Sequence, residues 1–332
     1  MLKTMPMIDF AGANAALAGA RGILIVTHVE PDGDAIGSLL GLGNALRAQG
    51  QDVTCAVDGG VPPGLQFLPH ADQVLSTLPE LQADLLICVD ANRPERVGQV
   101  GSQGLARCST VINLDHHVSN TGFGDIQLVM PEAASASEVV FHWLRSLSLP
   151  LSPDVARPLL TGLVTDTLGF RTSNVRAGTL RTALELMEPG ISLHDIIAQT
   201  FDSRPFAELR LWQQVLPSLT LDRGVVAAQI RVEDSRRAGL EAGEDGDLPS
   251  LLRSTAEARV AVVFRELEDG KVSLSMRSKP PWDVAQVAVA LGGGGHTQAA
   301  GATIAGPLKA ARDRVLPLLH VAANGGSATA GP

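Results

Sequence analysis

Three short runs, GILIVT at 22–27, DLLICV at 84–89 and STVINL at 109–114, are largely apolar on consecutive residues instead of alternating with polar ones. A strand that is apolar on both faces needs cover on both, and a parallel sheet with helices on either side supplies it. The segments around these runs agree. Leu39, Leu40, Leu42, Ala45 and Leu46 mark a helix with one apolar face, closed by Gly50. Asp52–Val57 and Ile126–Met130 are further strand candidates. Helices are expected over Ser135–Leu147, from Pro153 to about Thr167 with Pro158 distorting the first turn, and over 179–188, where Pro189-Gly190 ends the pattern.

Beyond that breaker the pattern changes. Residues 191–219 read as helices around a short link, and alternation typical of strands follows at Val225–Val232, Glu257–Glu266 and Lys271–Met276. Glu241–Pro249 is acidic and Gly-rich and reads as an exposed loop; helix signals return at Asp283–Ala290 and from Leu308 to Leu319. At 332 residues the chain exceeds the usual single domain. The expected fold class is α/β in two domains. The first, 1–190, is a mostly parallel sheet flanked by helices. A helical linker, 191–219, leads to a smaller α/β domain with a mixed sheet, 220–320, and to a disordered tail, 321–332.

The apolar runs end on chemistry. His28-x-x-x-Asp32-x-Asp34 follows the first, Asp90 ends the second, Asp115-His116-His117 ends the third, and Asp166 stands in GLVTDTLGF. Open α/β sheets keep their active sites just beyond the carboxyl ends of strands. Each cluster also has a plainer reading: Asp32-Gly33 is a common turn, Asp34 can cap the next helix, and either histidine can be structural. Asp166 resists this, because a lone carboxylate in a largely apolar segment is costly. Asp32, Asp34, Asp90 and Asp166 together balance the charge of two divalent ions, while His28 and His116 stay neutral. Carboxylates suit Mg²⁺ and Mn²⁺, and imidazole shifts the preference toward Mn²⁺ or another transition metal. Two ions about 3.5–4 Å apart activate a water and clamp phosphoryl oxygens during in-line displacement. The pattern points to a two-metal phosphoesterase.

Net charge, cysteines and termini narrow the setting. A formal charge of −9 argues against a sequence-blind binder of duplex DNA or of anionic membrane. It leaves room for a nucleotide or a short oligonucleotide, since bound metals and a few local arginines can make a positive site. Cys55, Cys88 and Cys108 are odd in number and far apart, so unpaired thiols in a reducing compartment are expected. The start MLKTMPMIDF carries Asp9 and lacks the apolar core of a signal peptide, and no apolar run is long enough for a membrane span. A cytoplasmic protein is expected.

VTHVEPDGDAIGS, CVD, LDHH and GLVTDT resemble, in order, the four signature motifs of the DHH phosphoesterase family, and GGGGHTQAAG resembles that of its DHHA1 domain. The resemblance spans about 20 to 320 and is closest to the branch of oligoribonucleases that also act on 3'-phosphoadenosine-5'-phosphate. It implies that His28, Asp32 and Asp90 hold one metal, and that Asp34, Asp90, His116 and Asp166 hold the other, with Asp90 bridging. It further implies that His117 faces the scissile phosphate or its leaving group and that Asp115 orients the histidines.

Gly292 to Gly295 remove every side chain before His296, so their amides can converge on a phosphate, and a following helix start would add free donors. A flexible linker is the plainer alternative. Arg277, Ser278 and Lys279 end a strand-like run; the resemblance makes Arg277 and Ser278 phosphate contacts, and Gly293, Gly294, Gly295 and His296 part of the substrate grip. Arg171, close after Asp166, is a further phosphate or ribose candidate. The function expected is Mn²⁺-dependent hydrolysis of short single-stranded RNA to mononucleotides, and of adenosine 3',5'-bisphosphate, with two ions and with Mg²⁺ or Co²⁺ as substitutes. Hydrolysis of a cyclic or linear dinucleotide, and a non-catalytic nucleotide-binding regulator, are the alternatives; the GGGGH motif argues against a pyrophosphatase and the length against a long-strand exonuclease. Neither membrane nor stable duplex DNA is an expected partner, and a homodimer is compatible with the resemblance.

Overall fold

A computed structural model of the chain describes residues 8, 10–78 and 82–325. It divides into two compact units, Met1–Ser203 and Arg204–Pro332. Among the described residues, no helix is long and apolar enough to cross a membrane.

In the first unit, α1 (Phe10–Gly19) precedes β1 (Ile23–Val26), α2 (Gly33–Ala48), β2 (Val53–Ala56) and β3 (Leu85–Val89). Then come α3 (Gly98–Arg107), β4 (Thr110–Asp115), β5 (Ile126–Val129), α4 (Ala136–Ser146), α5 (Pro153–Asp166), α6 (Ala177–Met187) and α7 (Leu193–Thr200). The strands lie in the order β2-β1-β3-β4-β5 and every pairing is parallel. Alternate residues serve opposite cores. Ile23, Ile25, Leu85, Ile87 and Val89 pack with α2, α4 and α5, while Leu24, Val26, Leu86 and Cys88 pack with Val97 and Val100. Cover on both faces is why these strands are apolar throughout.

Two local devices bring α2 and α5 together. Gly33, Gly37 and Gly41 recur every fourth residue on α2, and a Cβ on Gly37 would lie 2.5 Å from the Pro158 carbonyl and 2.8 Å from the Gly162 nitrogen. The backbones therefore approach as only glycine allows. Pro158, expected to disturb the first turn, lies inside a continuous α5. Proline deprives the Asp154 carbonyl of its helical donor. Asn44 on α2 donates to that carbonyl at 2.8 Å and supplies the missing bond.

The second unit holds α8 (Phe206–Val215), β6 (Thr220–Asp222), β7 (Val225–Ile230), α9 (Val232–Ala238), α10 (Leu248–Arg253), β8 (Val260–Glu266) and β9 (Lys271–Ser278). These are followed by α11 (Ala285–Ala290), β10 (Gly294–His296), β11 (Ala299–Ala305) and α12 (Leu308–Ala323). Its mixed sheet runs β10-β11-β9-β8-β7-β6, with only β7 and β8 parallel. One face packs on α11 and α12, and the β7–β8 part of the other packs on α8, α9 and α10.

The structure differs from the sequence reading at several points. The strand expected to reach Val232 stops at Ile230, because Asp234 accepts from the Arg231 amide and opens α9. Glu241–Pro249 is not wholly an exposed loop: Leu248 and Pro249 are buried in the start of α10, and Asp245 pairs with Arg265 at 3.2 Å. The expected linker 191–219 has its two helices in different units, α7 in the first and α8 in the second. Helix α12 continues to Ala323, past the point where a tail was expected, and residues 326–332 lie outside the described residues.

Candidate metal centre

In an open sheet of order 2-1-3-4-5 the neighbouring strands β1 and β3 send their chains to opposite sides, leaving a crevice beyond their carboxyl ends. The loop after β1 carries His28 and Asp32, the first turn of α2 carries Asp34, and Asp90 is the first residue after β3. Asp115 ends β4 and leads into His116 and His117, while α5 delivers Asp166 as its last residue. The close packing of α2 and α5 sets Asp34, in the first turn of one, near Asp166, at the end of the other.

The ligand atoms of His28, Asp32 and Asp90 lie within 4.8 Å of one another, as do those of Asp34, His116 and Asp166, and those of Asp90, Asp115, His116 and His117. His116 Nε2 stands 3.6 Å from Asp166 Oδ2, 3.7 Å from Asp90 Oδ1 and 3.9 Å from Asp34 Oδ2; His28 Nε2 is 3.5 Å from Asp90 Oδ2. These separations are too long for good hydrogen bonds. They match ligands around a common cation, because metal–oxygen bonds of about 2.0–2.1 Å hold neighbouring ligand atoms about 3 Å or more apart.

Charge and burial make the same case. Asp90 is buried, and its Oδ1 has no hydrogen-bond partner. Burial first, and then the charges of Asp34, Asp32, Asp115 and Asp166, push its carboxyl well above the usual carboxylate range. Asp166 is raised likewise by burial and by Asp34 and Asp32, although about a third of its side chain is exposed. Burial also raises Asp34 and lowers His116. Converging carboxylates that repel one another, with an orphaned buried oxygen among them, fit divalent cations.

Backbone and capping choices reinforce this. Asp90 has φ 54°, a left-handed conformation that costs an ordinary residue about 1–3 kcal/mol and is concentrated at functional sites. Asp166 ends a helix, where the macrodipole disfavours an anion. Asp32 and Asp34 have structural work as well. Asp32 Oδ1 accepts from the Asp34 and Ala35 amides at 3.0 Å and caps α2. Asp34, rather than capping its own helix, accepts from the Ala136 amide at 2.6 Å and the Ser137 amide at 2.9 Å, at the start of α4.

Asp115 is fully buried, and its Oδ1 lies 2.7 Å from His117 Nδ1. Burial pushes the Asp115 carboxyl up, but the hydrogen bonds from His117 and Asn120 outweigh it and hold the group below its usual range. Burial depresses His117, and the Asp115 hydrogen bond and charge more than reverse this. Two residues near the site went unnoticed in the sequence. Asn120 donates to Asp115 Oδ2, and Arg96 Nη2 approaches His28 Nδ1 at 3.2 Å. Neither carries a sequence signal beyond its nearness to a motif.

The substrate candidates divide. Arg171 is exposed, with Nε donating to the Leu168 carbonyl at 2.6 Å. Arg277 lies on the less covered face of β9 with Ser273 and Ser275, opposite Ala299, Gly301 and Thr303 of β11. Ser278 is fully buried, and its hydroxyl faces the carbonyls of Trp282 at 2.6 Å and Thr297 at 3.1 Å, so it ties loops together. The glycine run is not followed by a helix. The amides of Gly292 and Gly293 close α11 on the carbonyls of Val289 and Ala288, and Gly294, Gly295 and His296 form an edge strand against β11. The side chain of His296 lies outside the described residues.

Residues 22–163 match the DHH family N-terminal domain and 222–320 match the DHHA1 domain. A bifunctional oligoribonuclease and PAP phosphatase NrnA of Thermus thermophilus is 36% identical over 296 residues, covering 89% of this chain and 88% of that protein. A probable bifunctional oligoribonuclease and PAP phosphatase NrnA of Streptococcus mutans is 30% identical, covering 89% and 94%. The crystal structure of an exopolyphosphatase-related protein from Bacteroides fragilis superposes with a TM-score of 0.88 at 25% identity, covering 95% of this chain and 97% of that one. With the acidic cluster in the β1/β3 crevice and a mixed-sheet unit behind it in sequence, the chain belongs to the DHH family, carries a DHHA1 domain, and is a hydrolase of phosphoester bonds.

Proposed function

We propose that the protein hydrolyses short oligoribonucleotides to mononucleotides and removes the 3'-phosphate from adenosine 3',5'-bisphosphate, using two divalent ions, Mn²⁺ foremost. The observation that carries this is the buried Asp90 Oδ1, without a hydrogen-bond partner, among the carboxylates and imidazoles at the ends of β1, β3, β4 and α5. The names of the NrnA relatives, matched along most of their length, support the substrate class.

In this reading His28, Asp32 and Asp90 hold one ion, and Asp34, Asp90, His116 and Asp166 hold the other. Bound divalent ions supply Lewis acidity toward phosphoryl oxygens and lower the pKa of water. The chain's own residues do the rest. Asp115 keeps a proton on His117 Nδ1 and fixes the ring, so that Nε2 is the atom turned toward the substrate oxygens. Arg277, on the DHHA1 sheet, offers a bidentate fork for a second phosphate or terminal group. Arg171 is a further contact for phosphate or ribose. The unpaired cysteines accord with a reducing compartment, and we assign the protein to the cytoplasm.

The test is Asp90→Ala, assayed on a trinucleotide RNA and on adenosine 3',5'-bisphosphate with Mn²⁺, alongside calorimetric metal titration. Turnover on both substrates is expected to vanish and Mn²⁺ affinity to fall, because both ions lose a ligand. Unchanged turnover would sink the assignment. Wild-type cleavage of pyrophosphate or cyclic di-AMP in preference to both substrates would overturn the substrate class while leaving the metal site standing.

A further inference from the structure

Beyond the residues that meet ions or substrate, an amide pair joins the two loops that bear the centre of the site. Asn113 is fully buried on β4, and Asn120 lies half-buried in the loop after it. Asn120 Nδ2 is 2.6 Å from Asp115 Oδ2 and 2.8 Å from Asn113 Oδ1, while its Oδ1 accepts the Gly122 amide at 2.7 Å. Asn113 Nδ2 donates to the Ala91 carbonyl at 2.9 Å. Ala91 directly follows Asp90, whose own amide bonds to the Leu114 carbonyl at 2.9 Å.

We propose that Asn120, braced by Asn113, is the positioning residue that locks the His117 ring and ties the Asp90 turn to the loop after β4. The network admits one arrangement. Both Asn120 N–H groups meet oxygens and its carbonyl meets an N–H, so flipping the amide would set oxygen against two oxygens. Asn113 is fixed in the same way by the Ala91 carbonyl. With Asp115 Oδ2 taken by Asn120, Oδ1 is the oxygen left for His117 Nδ1 at 2.7 Å. The proton is thereby kept on Nδ1, and the far nitrogen keeps its direction. A second clip holds the same two loops: the Thr121 amide donates to the Asn92 carbonyl at 2.9 Å, and Asn92 Nδ2 to Ser119 Oγ at 2.8 Å.

Losing Asn120 leaves a buried carboxylate oxygen without a donor, and Asp115 must turn or take up water. His117 then loses its single orientation. A group of this kind acts through another residue, and removing it costs activity by about 10- to 100-fold in comparable settings. The inference rests on the reading of His117 as a group that faces substrate, so one arm of its test is independent of turnover.

The variants are Asn120→Leu, similar in volume but without donors, and Asn120→Ser, which cannot overfill the loop and decides the matter if Asn120→Leu does not fold. On the full chain, kcat and KM are measured on a trinucleotide RNA with Mn²⁺, and the ring ¹⁵N shifts of His117 are recorded on the metal-free protein. The expected result is a fall in kcat of about 10- to 100-fold with KM within about threefold, and a change of His117 from the Nδ1–H tautomer to a mixture. The proposal is overturned if His117 keeps the Nδ1–H tautomer, or if kcat falls no further than the folded fraction does. Should the wild-type chain cleave no oligonucleotide at all, the functional reading fails, and the imidazole spectrum alone then decides whether Asn120 positions the ring.

Discussion

Gly37→Ala tests whether the close approach of α2 and α5 builds the site. On an exposed helix the change is favourable, since alanine exceeds glycine in helix propensity by about 0.8–1 kcal/mol. At Gly37 the added methyl would lie 2.5 Å from the Pro158 carbonyl oxygen and 2.8 Å from the Gly162 nitrogen, against an ordinary contact distance that begins near 3.4 Å. Both opposing atoms are backbone, so no side chain can rotate out of the way. The helices must part by several tenths of an ångström, and overpacking of this kind costs about 1–3 kcal/mol. With the propensity gain offset, a net loss of up to about 2 kcal/mol remains. Gly178 is the control, because it is an exposed glycine on α6 whose Cβ would meet nothing within 4 Å. Urea unfolding of the metal-free proteins should show Gly37→Ala destabilised and Gly178→Ala stabilised by up to about 1 kcal/mol. Parting α2 from α5 also separates Asp34 from Asp166, so Mn²⁺ affinity and kcat should fall together in Gly37→Ala and stay unchanged in the control. A Gly37→Ala protein as stable and as active as wild type would refute the packing argument.

Two further outcomes follow from charges and buried hydroxyls. Asp166→Asn should raise the melting temperature of the metal-free protein while abolishing the rise that Mn²⁺ gives the wild type. It removes an anion from a helix C-terminus, worth about 0.3–1 kcal/mol, and from a set of repelling carboxylates; a lower metal-free melting temperature would count against the repulsion. Ser278→Ala should cost about 1–2 kcal/mol of stability by leaving the Trp282 carbonyl without its hydroxyl donor, since the Thr297 carbonyl keeps the Val284 amide, yet leave KM unchanged. Arg277→Ala in the same assay should raise KM, and a KM effect from Ser278→Ala as large would restore serine as a phosphate contact.

The acidic and histidine cluster was readable because its groups stand at or just beyond the ends of apolar strands or a helix, and chain direction in a parallel sheet brings such ends to one edge. His28, Asp32, Asp34 and Asp90 follow from that rule alone. Other features were present in the sequence but ambiguous. Glycine spacing at 33, 37 and 41 is visible, yet only the opposing backbone at Pro158 and Gly162 shows what it is for. The GGGGH run signals conformational freedom without saying how it is used. Gly292, at φ 82°, spends it on ending α11, and β11, with its sequence AAGATIA, has too few large side chains to announce the strand that pairs with the rest. Asn113 was out of reach because its partner, the Ala91 carbonyl, comes within reach only once β3 and β4 are aligned.

These features explain how the fold tolerates a site that works against its own stability. A left-handed Asp90, an anion at the end of α5 and several buried carboxylates each disfavour the metal-free chain. Two carboxylates of the cluster, the exposed Asp32 and the buried Asp34, repay part of that cost locally: Asp32 caps α2, and Asp34 binds the amides that open α4. The acidic residues in this cluster are therefore unequal in what they do for the fold. Asp34 and Asp32 hold helix starts, whereas Asp90 and Asp166 have no comparable bond to offset their charge. Neutralising a carboxylate should accordingly weaken the fold at the first pair and strengthen it at the second, and that difference in sign separates a cluster shaped around ions from one that merely caps helices.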